Sequence, residues 1–261
     1  QPSKSVYFST YSSSCRLGES TLVVGQVAVR ENLKLIEEPS GSLTLELKVQ
    51  LPKDPRGQMR RQTHEEKELQ LGGLLKSKLN QCVFQSPQDQ EEMEPVPPLE
   101  LVFALHVIQD TVADGNLLCA LSATLADLLL QVHALYKAPG ANGSSLVKKL
   151  FWTTVALKCD KKVIVDPQSQ LESSISNNLV ATTAFLNLQG QEEVSSDQIA
   201  VSIDKGSSIL RAGSGGQAAA SSAVQLEFES QVVSLKELRD ISEYVRSSVA
   251  TKMFGKLVKH K

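Results

Sequence analysis

With 261 residues and 41% hydrophobic content, the chain is long enough to bury a sizeable core and reads as a folded globular protein. A formal net charge of -2 excludes nucleic-acid binding through the overall field, so any RNA contact has to come from a local patch. Cys15, Cys82, Cys119 and Cys159 are too scattered for a Cys-x-x-Cys metal site and too few for a disulfide framework, which predicts reduced, intracellular thiols.

No apolar run approaches the roughly 20 residues of a membrane span. The opening Gln1-Pro2-Ser3-Lys4-Ser5 lacks the charged-then-apolar build of a signal peptide, so a soluble protein is expected. Thr21 to Val29 reads as a strand, and Leu43 to Leu51 alternates apolar and polar residues without a fault, as a strand with one buried and one wet face does. Glu37 to Gly41 between them is turn chemistry. The loop from Pro52 to Gln62 carries Lys53, Arg56, Arg60 and Arg61 against Asp54 alone. This is the clearest basic cluster in the chain, with two readings: a solvated loop, or a contact to a phosphate backbone.

Thr63-x-x-Glu66 has the form of a capping box, and Leu71, Leu74, Leu75, Leu79, Cys82 and Val83 predict a helix over about 64–84. Gly72-Gly73 weakens it by about 1 kcal/mol per glycine relative to alanine, a pattern expected where another element packs closely. Gln85 to Pro98, rich in proline and acid, reads as a surface loop. Leu99 to Ile108 is apolar on both faces and is predicted to be central in its sheet. Asp114-Gly115 then opens an apolar helix with Leu118, Leu121, Leu125, Leu128, Leu129, Val132 and Leu135 along one side. A helix start reached through Asp-Gly is a ready anion site, because its first N–H groups lack partners and the dipole favours negative charge there. A phosphate site usually adds a hydroxyl and a guanidinium; here Asn116, Leu117 and Leu118 follow.

Pro139 to Ser145 is the expected boundary between an N-terminal half, residues 1–140, and a C-terminal half, residues 150–261. Strands are predicted at 151–158, 162–165, 179–188, 199–203 and 208–211, followed by a Gly, Ala and Ser stretch over 213–222. Val224, Leu226 and Phe228 then alternate with polar residues. Leu235, Leu238, Ile241, Val245, Val249 and Met253 predict a closing amphipathic helix, whose Lys256, Lys259 and Lys261 suit its C-terminal dipole. The plan is α+β in two halves of similar element order. Gly213-Ser214-Gly215-Gly216 lacks the Lys-Ser or Lys-Thr of a phosphate loop, and Ala212 rules out a Gly-x-Ser-x-Gly elbow at Ser214. His64, His106, His133 and His260 have no partner at ligand spacing and read as structural, so no metal or cofactor is expected. Asn142-Gly143-Ser144 reads as a turn rather than a glycosylation site.

Three segments in register, Gly18-Glu19-Ser20-Thr21-Leu22-Val23-Val24-Gly25, Asp114-Gly115-Asn116-Leu117-Leu118 and Val163-Ile164-Val165-Asp166-Pro167, resemble the RNase PH family over nearly the whole chain. Within it they resemble the non-catalytic ring subunits of the RNA exosome. The resemblance implies an RNase PH-like fold of two related β-α subdomains, of the ribosomal protein S5 domain 2-like kind. It implies a ring of six such subunits, S1- and KH-domain cap proteins on one face, a separate hydrolytic nuclease, single-stranded RNA as a partner, no membrane, and a location in nucleus, nucleolus and cytoplasm. Phosphorolytic relatives continue the Asp-Gly segment with Gly-Thr-Arg or Gly-Ser-Arg, which hold the attacking phosphate, where this chain has Asn116, Leu117 and Leu118. They also place an aspartate where this chain reads Ser176-Asn177-Asn178, and an amide has no dissociable proton for acid catalysis. The expectation is therefore a catalytically inactive, structural and RNA-guiding subunit of the exosome core ring, with Lys53, Arg56, Arg60 and Arg61 as its RNA contact. The rival readings are an active phosphate-dependent 3′ exoribonuclease and an unrelated α+β interaction module.

Overall fold

A computed structural model of the chain describes residues 7–17, 21–31, 43–52, 61–83, 99–110, 117–135, 146–159, 162–166, 180–188, 194–204 and 234–259. The first sheet contains β1 (Tyr7–Leu17), β2 (Thr21–Glu31), β3 (Leu43–Gln50) and β4 (Leu99–Asp110) in the order β1-β2-β4-β3. β3 runs parallel to β4 while the other pairs are antiparallel. That exception follows from α1 (Arg61–Asn80), which lies between β3 and β4 in sequence and packs on β3, the arrangement a parallel neighbour requires. The second sheet, antiparallel throughout, has the order β6-β5-β7-β8, with β5 (Lys149–Cys159), β6 (Lys162–Val165), β7 (Val180–Asn187) and β8 (Ile199–Asp204).

β1 is absent from the sequence expectation because its serines hide the alternation: Tyr11, Ser13, Cys15 and Leu17 face inward, and Ser12, Ser14 and Arg16 face water. β4 is internal, as expected, but only one of its faces is dry. Leu101, Phe103 and Leu105 are fully buried under the helices, whereas Val102, Ala104 and His106 are half-exposed and Ile108 is 58% exposed. On that open face Arg30 reaches Glu100, its cross-strand partner, at 3.4 Å.

α1 starts at Arg61 and ends at Asn80, so Thr63 lies inside the helix and cannot cap it. Cys82 and Val83 are buried beyond its end, where Val83 bridges to Val147. Gly72 and Gly73 are not a close approach: a Cβ on Gly72 would meet only Val49 at 3.9 Å, and on Gly73 nothing within 4 Å. They border an open groove of about 540 Å³ between α1 and β3, rimmed by Leu47, Val49 and Leu69. The close approach is at Gly25 in β2, where a Cβ would lie 2.5 Å from Thr124 and 2.9 Å from Leu105.

α2 (Leu117–Leu135) is long and apolar enough to cross a membrane by length and composition, but most of it is buried inside the protein. It lies against β1 and β2 on one side and β5 on the other, so residues of both sheets share one apolar core. The final helix is interrupted. α3 (Leu235–Tyr244) begins at a capping box in which Ser234 Oγ accepts from Glu237 N and Glu237 accepts from Ser234 N. A π segment, Val245–Ala250, leads into α4 (Thr251–Lys259). The buried stripe is Ile241, Val245, Ala250 and Phe254, while the expected Val249 and Met253 are half-buried at its border. One residue accommodated in the π turn shifts the inward face by one position.

Candidate functional site

The three segments that carry the resemblance converge on α2. Gly25, from the first, lets β2 approach Thr124 and Leu128 of that helix. The second contributes the helix start itself. The third runs through β6 and turns at Asp166, whose φ of 54° puts it in the left-handed region that aspartate tolerates better than most residues. Its N–H donates to Val155 O at 2.8 Å, which holds the turn against β5.

Asp166 is close enough to the first turn of α2 for its charge to act on Cys119. Burial is the main cause that pushes the Cys119 thiol well above its usual 9.0, and the Asp166 carboxylate adds to it, against hydrogen bonds involving Trp152 and Thr154. Cys15 in β1 is raised for the same two reasons, burial first and Asp166 second. A carboxylate beside the first turn of a helix complements the positive end of its dipole and opposes the entry of a second anion.

The first described residues of α2 are apolar and buried. Leu117 and Leu118 are each only 6% exposed, Cys119 is 5% exposed and Ala120 is fully buried. At these positions there is no side chain to hold a phosphate, and the leucines belong to the core cluster. Asn116 and Ser176-Asn177-Asn178 lie outside the described residues. So do Lys53, Arg56 and Arg60; Arg61 is the first residue of α1, with its side chain outside the description. Gly213 to Gly216 and Asn142 to Ser144 also lie outside it. His133 is structural, its Nδ1 lying 3.0 Å from Val147 O, and His106 sits half-buried on the open face of the first sheet. Among the described residues no group of three or more His, Cys, Asp or Glu side chains is gathered as a metal site would need.

One feature at this junction has no sequence motif. Ser122 Oγ accepts from Thr153 N at 3.0 Å and donates to Thr153 O at 3.0 Å, so α2 is joined edge-on to β5. Its trace in the sequence is a serine set between Leu121 and Ala123.

The same arrangement of sheets and helices occurs in a solved exosome. A chain from a structure of the Archaeoglobus fulgidus exosome with RNA bound to the active site matches at a TM-score of 0.50 and 14% identity, covering 98% of this chain and 89% of that one. The fold is RNase PH-like. Rice (Oryza sativa) Rrp46 matches at a TM-score of 0.46 and 12% identity over 97% of this chain and 95% of its own. A chain of an archaeal exosome core matches at 0.45 and 15%, over 97% and 87%. No protein-family model and no curated protein matches this chain. In the RNase PH-like fold of this chain, three segments far apart in sequence meet one buried helix: Gly25 lies against its middle at Thr124 and Leu128, and the charge of Asp166 reaches its first turn at Cys119.

Proposed function

We propose that this chain is a catalytically inactive RNase PH-like subunit of an exosome core ring, which supports 3′ to 5′ RNA processing and degradation by building the ring and guiding RNA. The observation that carries the reading is the burial of Leu117 and Leu118 at the start of α2. Core leucines replace groups that would face a phosphate, and the nearby Asp166 carboxylate makes the place less hospitable to an anion. The fold of the Archaeoglobus fulgidus exosome chain supports the choice of assembly. The reading places the chain among other RNase PH-like subunits in a six-membered ring, with S1/KH cap proteins, a hydrolytic nuclease and single-stranded RNA as partners, in nucleus, nucleolus and cytoplasm. Lys53, Arg56, Arg60 and Arg61 are its proposed RNA contact.

The test has two arms. The purified chain, given single-stranded RNA and inorganic phosphate with or without Mg²⁺, should release no nucleoside diphosphate. Affinity purification of the tagged chain from its own cells should recover other RNase PH-like subunits and cap proteins. Diphosphate release that is lost when Asn177 or Asn178 is replaced would establish the active exoribonuclease instead.

A further inference from the structure

The last 17 residues, 245–261, contain Arg246, Lys252, Lys256, Lys259 and Lys261 and no Asp or Glu, a local charge of +5 in a chain of -2. Their arrangement depends on the π segment. At ~100° per residue, an uninterrupted α-helix would put Lys252, Lys256 and Lys259 within ~60° of Ile241, on the side that faces the core, and Ala250 ~180° away from it. The residue accommodated in the π turn rotates everything after it by roughly one position. With that shift the buried residues Ile241, Val245, Ala250 and Phe254 form one stripe spanning ~120°, and Lys252, Lys256 and Lys259 lie ~100–160° from its middle, where all three are exposed. None of these three lysines forms an ion pair among the described residues.

The three lysines form a row at i, i+4 and i+7, so their Cα atoms step by ~6 and ~4.5 Å along the axis. Tyr244, 42% exposed, lies on the same side about two turns earlier by the same phasing. We infer that this face, the lysine row of α4 with Tyr244 at its head, is a second binding surface for single-stranded RNA, with the lysines on phosphates and the tyrosine ring stacked on a base. The inference rests on the RNA-handling reading above but not on the basic cluster of residues 53–61.

RNA is the occupant that the chemistry favours. Lysines strung along a helix neutralise a polyanion without reading sequence, and an exposed aromatic gives any base a stacking platform. A membrane surface would need the apolar face of the helix, which is turned into the core. A stable protein interface is depleted in lysine and centres on apolar anchors, and no large apolar residue of α4 is exposed.

The experiment measures binding of the full chain to fluorescent oligouridylate across a salt series. K252Q/K256Q/K259Q keeps helix-forming residues and should retain the wild-type melting curve. It should weaken binding at least about tenfold at 50 mM salt, and flatten the slope of log K against log salt by up to ~2, at ~0.7 per lost contact. Y244A should weaken binding several-fold with an unchanged slope. If the wild-type chain does not bind the oligonucleotide at all, both this inference and the RNA reading fall. If the wild type binds while the lysine variant matches it in affinity and slope, this surface is excluded and the RNA reading stands. Unchanged RNA binding combined with loss of co-purifying subunits would reassign the row to an acidic protein partner and overturn the inference.

Discussion

Ser122 Oγ lies 3.0 Å from both the backbone nitrogen and the backbone oxygen of Thr153. β6 pairs with β5 only from Ala156 to Cys159, so the neighbouring edge of β5 needs other partners. Ser122 serves Thr153, and Asp166 N serves Val155 O. Both Ser122 and Thr153 are buried, and water cannot replace the bond. S122A should therefore lose about 1–3 kcal/mol of stability, read as a lower urea midpoint at an unchanged m-value. A loss under about 0.3 kcal/mol would show that the edge does not depend on the hydroxyl.

Gly25 has a different role, since it supplies only space. A methyl group there would fall 2.5 Å from Thr124 Cγ2 and 3.0 Å from Leu128 Cδ1, which overpacks the β2–α2 contact. G25A is expected to destabilise the protein by about 1–3 kcal/mol. T124S in the same chain should recover part of it, because the clashing methyl group is gone; a double-mutant cycle on thermal melts checks this.

Cys82 is fully buried at the turn after α1, and burial pushes its thiol up to about 12, against the lowering influence of Lys149 and Lys148. A thiol raised in the folded state stabilises fully below its unfolded value of 9.0, and that contribution is lost as pH rises towards 12. It amounts to at most about 4 kcal/mol. C82A should show a shallower loss of stability between pH 9 and 12 than wild type. In site-resolved alkylation at pH 8, Cys82 and Cys119 should react only after unfolding.

On the acid side, Lys158 in β5 hydrogen-bonds and pairs with Asp240 in α3 and holds its carboxyl below the usual 3.8. A depressed carboxyl stabilises above its unfolded value and loses that contribution as pH falls through the lower folded one. D240N should therefore narrow the stability difference between pH 5 and pH 2.5, with Glu237, lowered by its bonds to Ser234, retaining its own share. An identical acid profile in the two proteins would count against the pair.

Replacing Lys53, Arg56, Arg60 and Arg61 by alanine should weaken RNA binding by the assembled complex about equally for all sequences. The salt slope should flatten by up to ~0.7 per lost phosphate contact. The assembly should survive, since substitutions in solvated segments usually change stability by no more than about 0.5 kcal/mol. Unchanged affinity and slope would mark the loop as a solvated connection only.

Most regular elements could be read from periodicity. The apolar run of β4 and the leucines of α2 each bury enough surface that the local pattern and the tertiary environment agree, whereas in β3 the alternation from Leu43 to Gln50 yields one buried residue, Val49, with Leu43, Leu45 and Leu47 only partly covered at the sheet edge. β1 was not legible, because serine has little strand preference and Tyr11 to Leu17 becomes a strand by pairing with β2. Nor was the true glycine contact: Gly25, Gly72 and Gly73 look alike in sequence, and only the path of α2 tells which of them a side chain would crowd.

The sequence by itself determined the α+β plan, the apolar character of the helix start at Leu117-Leu118 and the basic end of the chain, since these depend on residue type and period alone. The tertiary structure decided which faces meet. It brought the charge of Asp166 within reach of Cys119 in α2, joined that helix to β5 through Ser122, and turned Lys252, Lys256 and Lys259 outward through a π segment. The physical reason is common to all three. Each depends on how one element is rotated or placed against another, and that is settled by packing the shared core rather than by any local preference.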